Sequence, residues 1–307
     1  MENANMKFFT RKAYDYEPSD NASITLYKCG HIIEGRLVER KSYNLGRLKR
    51  QSKDLYVDTE TGEIGQYQHD LSKNTIRKMK RSFERLRMII NTNFFAEINE
   101  RAIVLTYAEK MEDFDKASID FKRFWEKFVY HYSDLEYIRV IEPQQTGSWH
   151  IHALVKSTEY RNLYIPIAEI TKIWGHGFAY ISPMTGNDNI GAYFTACFTN
   201  LDVFEKESEE PNKRKCIIKG ERLRFYPPNK KFYACSRGIK KPQRISMTFG
   251  EAKEMYNFEN CNYKKAYEVI EKNPDTEVEK VVNHTMRIQI NLKCKKKHNG
   301  HTGNNKL

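Results

Sequence analysis

No two cysteines in the 307-residue chain are spaced C-x-x-C: Cys29, Cys197, Cys216, Cys235, Cys261 and Cys294 are scattered. That argues against a zinc ribbon and against a disulfide framework. No apolar run is long enough to span a bilayer, and the opening MENANMKFFTRK lacks the apolar centre of a signal peptide, so a cytoplasmic protein with no membrane partner is expected. No G-x-x-x-x-G-K-[ST] occurs, which leaves the chain without a P-loop ATPase or helicase. No internal repeat is visible. Acid is also in short supply: 40 Asp and Glu face 52 Lys and Arg, for a net charge of +12. An excess of that size favours a polyanionic partner, with nucleic acid ahead of an anionic membrane surface. Aromatics make up 13% of the residues. Most serve a core, but exposed ones interleaved with bases can stack on nucleobases.

Residues 1–72 carry short β-like runs such as Ser23 to Lys28, with turn signals at Asp20-Asn21 and Thr61-Gly62, and are taken as an N-terminal extension. From Thr75 to Ile90 the period becomes helical, with Ile76, Met79, Phe83, Leu86 and Ile90 on one stripe. The other positions hold Arg77, Lys78, Lys80, Arg81, Arg85 and Arg87. They form either a solvated face or a surface that tracks phosphates. RAIVLTY (Arg101 to Tyr107) is a compact β-branched run expected to be a central strand. A helix follows with Phe121, Phe124, Trp125, Phe128 and Tyr132 on one stripe. Further on, Ile167 to Trp174 predicts a short helix, Gly177 to Ser182 a strand, and Asp188 to Asn200 a helix capped by Asp188. Glu205 to Lys219 is densely charged and loop-like. Residues 246–307 are expected to be a C-terminal extension ending in a basic, disordered tail.

The stretch Gly147 to Lys156, GSWHIHALVK, has the most chemical content. In a strand, alternation puts His150 and His152 on one face and Trp149, Ile151 and Ala153 on the other. The run Glu136 to Glu142 precedes it, separated by a short turn, so an antiparallel hairpin is expected to hold Glu142 opposite His150. Two imidazoles and a carboxylate on one face can ligate a divalent cation with coordination positions to spare. Ordinary hydrogen bonds can also satisfy such histidines, and the ligand set alone admits Zn²⁺ as readily as Mg²⁺ or Mn²⁺.

Four stretches in order resemble the rolling-circle replication initiators (Rep proteins) of plasmids and phages, within the HUH endonuclease class. Val104 to Tyr107 matches the L-T-Y type motif, EPQQTGSWHIH (Glu142 to His152) the Glu and His-x-His motif, and NIGAYFTACFTN (Asn189 to Asn200) the tyrosine helix. FYACSRGIKKP (Phe232 to Pro242) is similar to the segment after the catalytic core in initiators of Gram-positive bacteria. The likeness spans about residues 75–245. It implies an α+β palm-like fold, an antiparallel sheet of about five strands with helices on one side. The nicking and DNA-binding domain is then 73–245. It also implies Mg²⁺ or Mn²⁺ on Glu142, His150 and His152, and Tyr193 as the nucleophile that cuts one strand of single-stranded or cruciform origin DNA through a 5′-phosphotyrosine. Strand rejoining would follow at the same site, and a host helicase and DNA polymerase are the expected partners. Lys80, Arg81, Arg85, Arg237, Lys240 and Lys241 are the expected DNA contacts, with Thr106 and Tyr107 supporting the metal face.

The chain departs from that pattern beside the nucleophile. Ala196 stands where many members have Lys, and Cys197 where some have a second Tyr. A single-tyrosine mechanism is therefore expected, with Lys240 or Lys241 as the candidate replacement cation and Tyr180 and Tyr233 as rival nucleophiles. The alternative is a non-catalytic origin-binding protein, a repressor or copy-number regulator. A histidine-triad hydrolase is disfavoured because Leu154 occupies the third alternating position.

Overall fold

A computed structural model describes residues 8–39, 48–52, 55–59, 61–66, 71–144, 146–159, 162–184, 189–196, 225–227, 230–258, 261–272 and 279–293. The chain divides into two compact units. One is built from 1–68 together with 243–307, the other from 69–242.

Among the described residues, the 69–242 unit is a five-stranded antiparallel sheet with four helices. Its strands are β7 (Glu100–Leu105), β8 (Leu135–Pro143), β9 (Trp149–Ser157), β10 (Ala179–Pro183) and β11 (Tyr233–Cys235), in the spatial order β10-β7-β9-β8-β11. The helices are α1 (Leu71–Asn93), α2 (Phe114–His131), α3 (Ile167–Trp174) and α4 (Ile190–Ala196). The α+β class and the antiparallel sheet agree with expectation, but the placement of the helices does not: they lie on both faces of the sheet rather than on one. On one side Phe121, Phe124 and Phe128 of α2 and Ile170 and Trp174 of α3 pack on Ile103, Ile151, Ala153 and Val155. On the other, Phe83, Leu86 and Ile90 of α1 and Ile190 of α4 pack on Ile138, Val140 and Leu154. The cause lies in β8 and β9, which are apolar on both faces and buried at most positions. A strand with two apolar faces needs a covering layer on each.

Local chemistry explains the element ends. Asp113 caps α2, its side chain accepting from the Asp115 and Lys116 N–H groups. Gly175 ends α3 in the left-handed conformation, φ 67°. At the start of α4 the cap is Asn189, whose Oδ1 accepts from Ala192 N at 3.0 Å. The expected cap, Asp188, lies outside the described residues, as do 197–200 of the predicted helix, the charged run 205–219 and the tail 299–307.

The other unit joins the two ends of the chain. Its strands β1 (Phe8–Ala13), β2 (Ser23–Cys29), β3 (Ile32–Val38), β12 (Gln243–Thr248), β13 (Tyr263–Lys272) and β14 (Glu279–Asn291) form one antiparallel sheet in the order β1-β13-β14-β3-β2-β12. Helix α5 (Phe249–Met255) begins in a capping box between Thr248 and Glu251. It buries Phe249 and Ala252 against Ile24, Leu26, Leu37, Met286 and Ile288. Residues 48–66 add a three-stranded sheet of β4 (Leu48–Arg50), β5 (Leu55–Asp58) and β6 (Ile64–Gln66). Segments 1–72 and 246–307, expected as separate extensions, thus supply strands to a common sheet.

Phe124 is 2% exposed and packs edge-on to Trp174, ring centroids 5.9 Å apart. Phe124→Ala should cost about 3–5 kcal/mol of stability, measurable by urea denaturation of the full chain.

Candidate metal centre

The hairpin between β8 and β9 sets the geometry. Gln144 N donates to Ser148 O and Gly147 N to Gln144 O, with Gly147 at φ 81°, a conformation that favours glycine. This turn fixes the register so that Glu142 pairs directly with His150, and Val140 with His152. Ser148 and Trp149 anchor the turn to residues 111–112: Met111 N donates to Ser148 Oγ, Trp149 N to Met111 O and Trp149 Nε1 to Glu112 O.

Glu142, His150 and His152 consequently share the α1/α4 face of the sheet. The Nε2 atoms of His150 and His152 lie 3.4 and 3.2 Å from the same Glu142 oxygen, Oε2. One ligand atom from each residue fits within 4.8 Å of the others, and among the described residues this is the one group of three or more that can hold a metal. Burial pushes the Glu142 carboxyl up, but hydrogen bonds and charge from His150 and His152 outweigh it and hold the group down to about 2. The carboxylate is therefore ionised at neutral pH.

The site fits a divalent cation on two counts. Ligand atoms each about 2.1 Å from one ion stand roughly 3.0–3.4 Å apart, and the His150 and His152 nitrogens are at that distance from the carboxylate oxygen. His150 Nδ1 is also buried without a hydrogen-bond partner, a cost that a bound ion or an ordered water would relieve.

Helix α4 lies alongside. The Phe194 ring meets His152 edge-on, centroids 6.1 Å apart. Gly191 allows the approach of α4 to α1, since a Cβ there would lie 2.4 Å from Arg87 O and 2.6 Å from Asn91 Oδ1. Asn91 completes the junction by accepting from Gly191 N at 2.7 Å and donating to Asn189 Oδ1 at 2.9 Å. Tyr193 is on this helix one residue before Phe194, with its side chain outside the described residues. Asn91 and Asn189 were missed from sequence: Asn91 sits in the basic helical run with no local signal that its amide reaches a helix 98 residues further on.

Of the expected DNA contacts, Arg81 and Arg85 are exposed on α1, Arg237, Lys240 and Lys241 are exposed after β11, and the Lys80 side chain lies outside the described residues. The two groups are tied together by Asn93, which donates to Lys240 O at 2.8 Å and accepts from Lys240 N at 2.9 Å. Glu136 holds the start of the second group, accepting from Ser236 Oγ and, at 3.2 Å, from Gly238 N. The rival Tyr180 is exposed on β10 and Tyr233 packs against the α1 core. Tyr107, expected to support the metal face, serves the opposite one. Its hydroxyl donates to buried Asp120 at 3.1 Å, its ring packs on Trp174, and burial and the Asp120 charge raise its pKa. Thr106 donates to Phe178 O. His176, read as a turn residue, lies 3.8 Å from Asp120 on a connection away from the cluster.

Residues 100–201 match the family model for the replication-associated protein of the ORF2 group. That agrees with the resemblance to rolling-circle replication initiators, and the matched segment contains Glu142, His150, His152 and Tyr193. No curated protein and no solved structure matches the chain. No helix among the described residues is long and apolar enough to cross a membrane.

Mn²⁺ or Zn²⁺ should raise the melting temperature of the protein, by the equivalent of about 2.7 kcal/mol at a metal concentration 100 times Kd. EDTA should reverse the rise, and His150→Ala and Glu142→Gln should each abolish it in differential scanning fluorimetry.

Proposed function

We propose that the chain initiates rolling-circle replication, and that its 69–242 unit nicks one strand of single-stranded or cruciform origin DNA and later rejoins it. The observation that carries this is the convergence of Glu142, His150 and His152 on a buried face, with α4 packed beside them in the segment that matches the replication-associated family.

A divalent cation on these three residues, Mg²⁺ or Mn²⁺, supplies positive charge that polarises the scissile phosphate and offsets negative charge in the transition state. Glu142, with one carboxylate against two neutral imidazoles, leaves that charge only partly neutralised. Tyr193 Oη attacks phosphorus, and the bond from phosphorus to the 3′ oxygen breaks. The phenolic proton is lost, and the departing oxygen gains one to become a free 3′-OH that can prime a polymerase. The phosphotyrosine retains the phosphodiester's transfer potential, so attack by a 3′-OH reverses the step without ATP. The asparagine junction at Asn91 and Asn189 and the close approach at Gly191 fix the height of α4 over the metal face, which suits a nucleophile that must reach one phosphorus from one side. Arg81 and Arg85 on α1, Lys240 and Lys241 joined to α1 through Asn93, and nearby Arg237 are the groups we assign to the DNA backbone. Lys240 or Lys241 takes the role of the lysine replaced by Ala196. Host helicase and polymerase complete the replication cycle.

The test uses single-stranded origin DNA with Mn²⁺, resolved on denaturing gels. Wild type should give a covalent protein–DNA adduct, Tyr193→Phe should reduce it by at least about 10³-fold, and His150→Ala should lose it while retaining DNA binding. An adduct that persists in Tyr193→Phe but disappears in Tyr180→Phe or Tyr233→Phe would reassign the nucleophile. Origin binding without cleavage under any metal would select the regulator in place of the nickase.

A further inference from the structure

The sheet built from the two ends of the chain has one face covered by α5 and another that no described element covers. Alternation and register fix what stands on that open face. Lys265, Arg287 and Arg36 are directly paired across three adjacent strands, Lys265 with Arg287 and Arg287 with Arg36. Thr25 and Ser246 continue the same row through β2 and β12. Like charges directly opposite one another destabilise a sheet, so this row opposes the fold that carries it. A bound polyanion would reverse the sign of that effect.

Tyrosines flank the basic row. Tyr263 and Tyr27 belong to the row on one side and Tyr267 to the row on the other. The Arg36 guanidinium lies over the Tyr27 ring at 5.5 Å and the Lys265 ammonium over Tyr267 at 5.5 Å. The Tyr263 and Tyr267 hydroxyls are 3.5 Å apart, and the Lys265 and Arg287 charges both act on the Tyr263 phenol. Tyr263 is 44% exposed, and Lys265, Arg287 and Arg244 are exposed as well. Against the four cations Lys265, Arg287, Arg36 and Arg244, Glu34 is the one carboxylate on these three rows among the described residues, and it is buried.

We propose that this open face binds single-stranded DNA, with Lys265, Arg287 and Arg36 on phosphates and Tyr263 and Tyr267 stacking on bases. Cations alone would accept any polyanion, but exposed rings at both edges of the basic row suit unpaired bases, whose faces a duplex keeps stacked internally. The row spans two interstrand spacings, about 10 Å, enough for a short length of backbone. The choice of DNA over RNA rests on the nicking function proposed above; the binding itself does not.

Binding is measured on the full chain by fluorescence anisotropy with a labelled 15-mer of dT, in EDTA so that no cleavage occurs. The triple variant Arg36→Gln, Lys265→Gln, Arg287→Gln should bind at least tenfold more weakly, and the slope of log K against log salt should shrink by about 2, at about 0.7 per lost phosphate contact. Tyr263→Ala and Tyr267→Ala should each weaken binding about tenfold with little change in that slope. Independently of any variant, dT 15-mer should protect Lys265 of the wild-type protein from acetylation. The triple variant should still nick a short origin oligonucleotide, and His150→Ala should lose nicking yet keep its dT affinity, so failure of the nicking reaction leaves the binding result intact. Unchanged dT affinity in the triple variant, an unprotected Lys265, tighter binding of a duplex, or a preference for oligo(U) would each overturn the proposal.

Discussion

Pairing of Glu142 with His150 across one hairpin is the constraint on which the 69–242 unit depends. A strand slipped by one residue would turn His150 and His152 toward the α2 aromatics and Trp149, Ile151, Ala153 and Val155 toward α1, exchanging polar and apolar sets wholesale. The register therefore has two guarantees, the Gly147 turn and the apolar content of both faces of β9. A site whose geometry is tied to core packing in this way cannot drift without unfolding the centre of the sheet. That rigidity suits a cation site required to hold three ligands near ideal separations.

The two helical layers divide the work. The α2/α3 layer is a packed aromatic core, with Phe121, Phe124, Phe128 and Trp174 in mutual contact and Tyr107 and Asp120 tied into it. The α1/α4 layer packs less uniformly and mixes apolar contacts with the asparagine hydrogen bonds at Asn91, Asn93 and Asn189. Polar junctions of this kind specify a single position for an element where apolar contacts alone would allow sliding. They occur where α4 and the basic segment after β11 have to be placed relative to the metal face.

Much of the 69–242 unit was legible in the sequence because its signals are local. Aromatic periodicity pointed to α2, alternation to β9, and the short turn between the two strands to Glu142 standing opposite His150. What escaped has physical causes. Helices were expected on one side because a strand's burial on its second face is invisible until its neighbours are known. Tyr107 was assigned to the wrong face because β7 ends at Leu105 and the chain beyond it turns toward Trp174. The sheet joining 1–68 with 243–307 was unreadable for a different reason. Its central pairing, β3 with β14, links residues some 250 positions apart, and the alternation in β14 was taken as part of an extension because its partner lies at the other end of the chain.

That pairing also bears on how the protein is made. The 69–242 unit interrupts the other unit in sequence, between β6 and β12. On the ribosome all of its strands and helices emerge before β13 and β14 exist, and β3 has to wait for β14 with an open edge. The interior unit can reach its folded state while the outer sheet is still incomplete, so a growing chain would carry a formed Glu-His-His cluster before it carries the basic sheet face. Translation order thus separates the chemistry from the surface proposed to hold the strand, and an unfinished chain is spared from engaging DNA through both units at once.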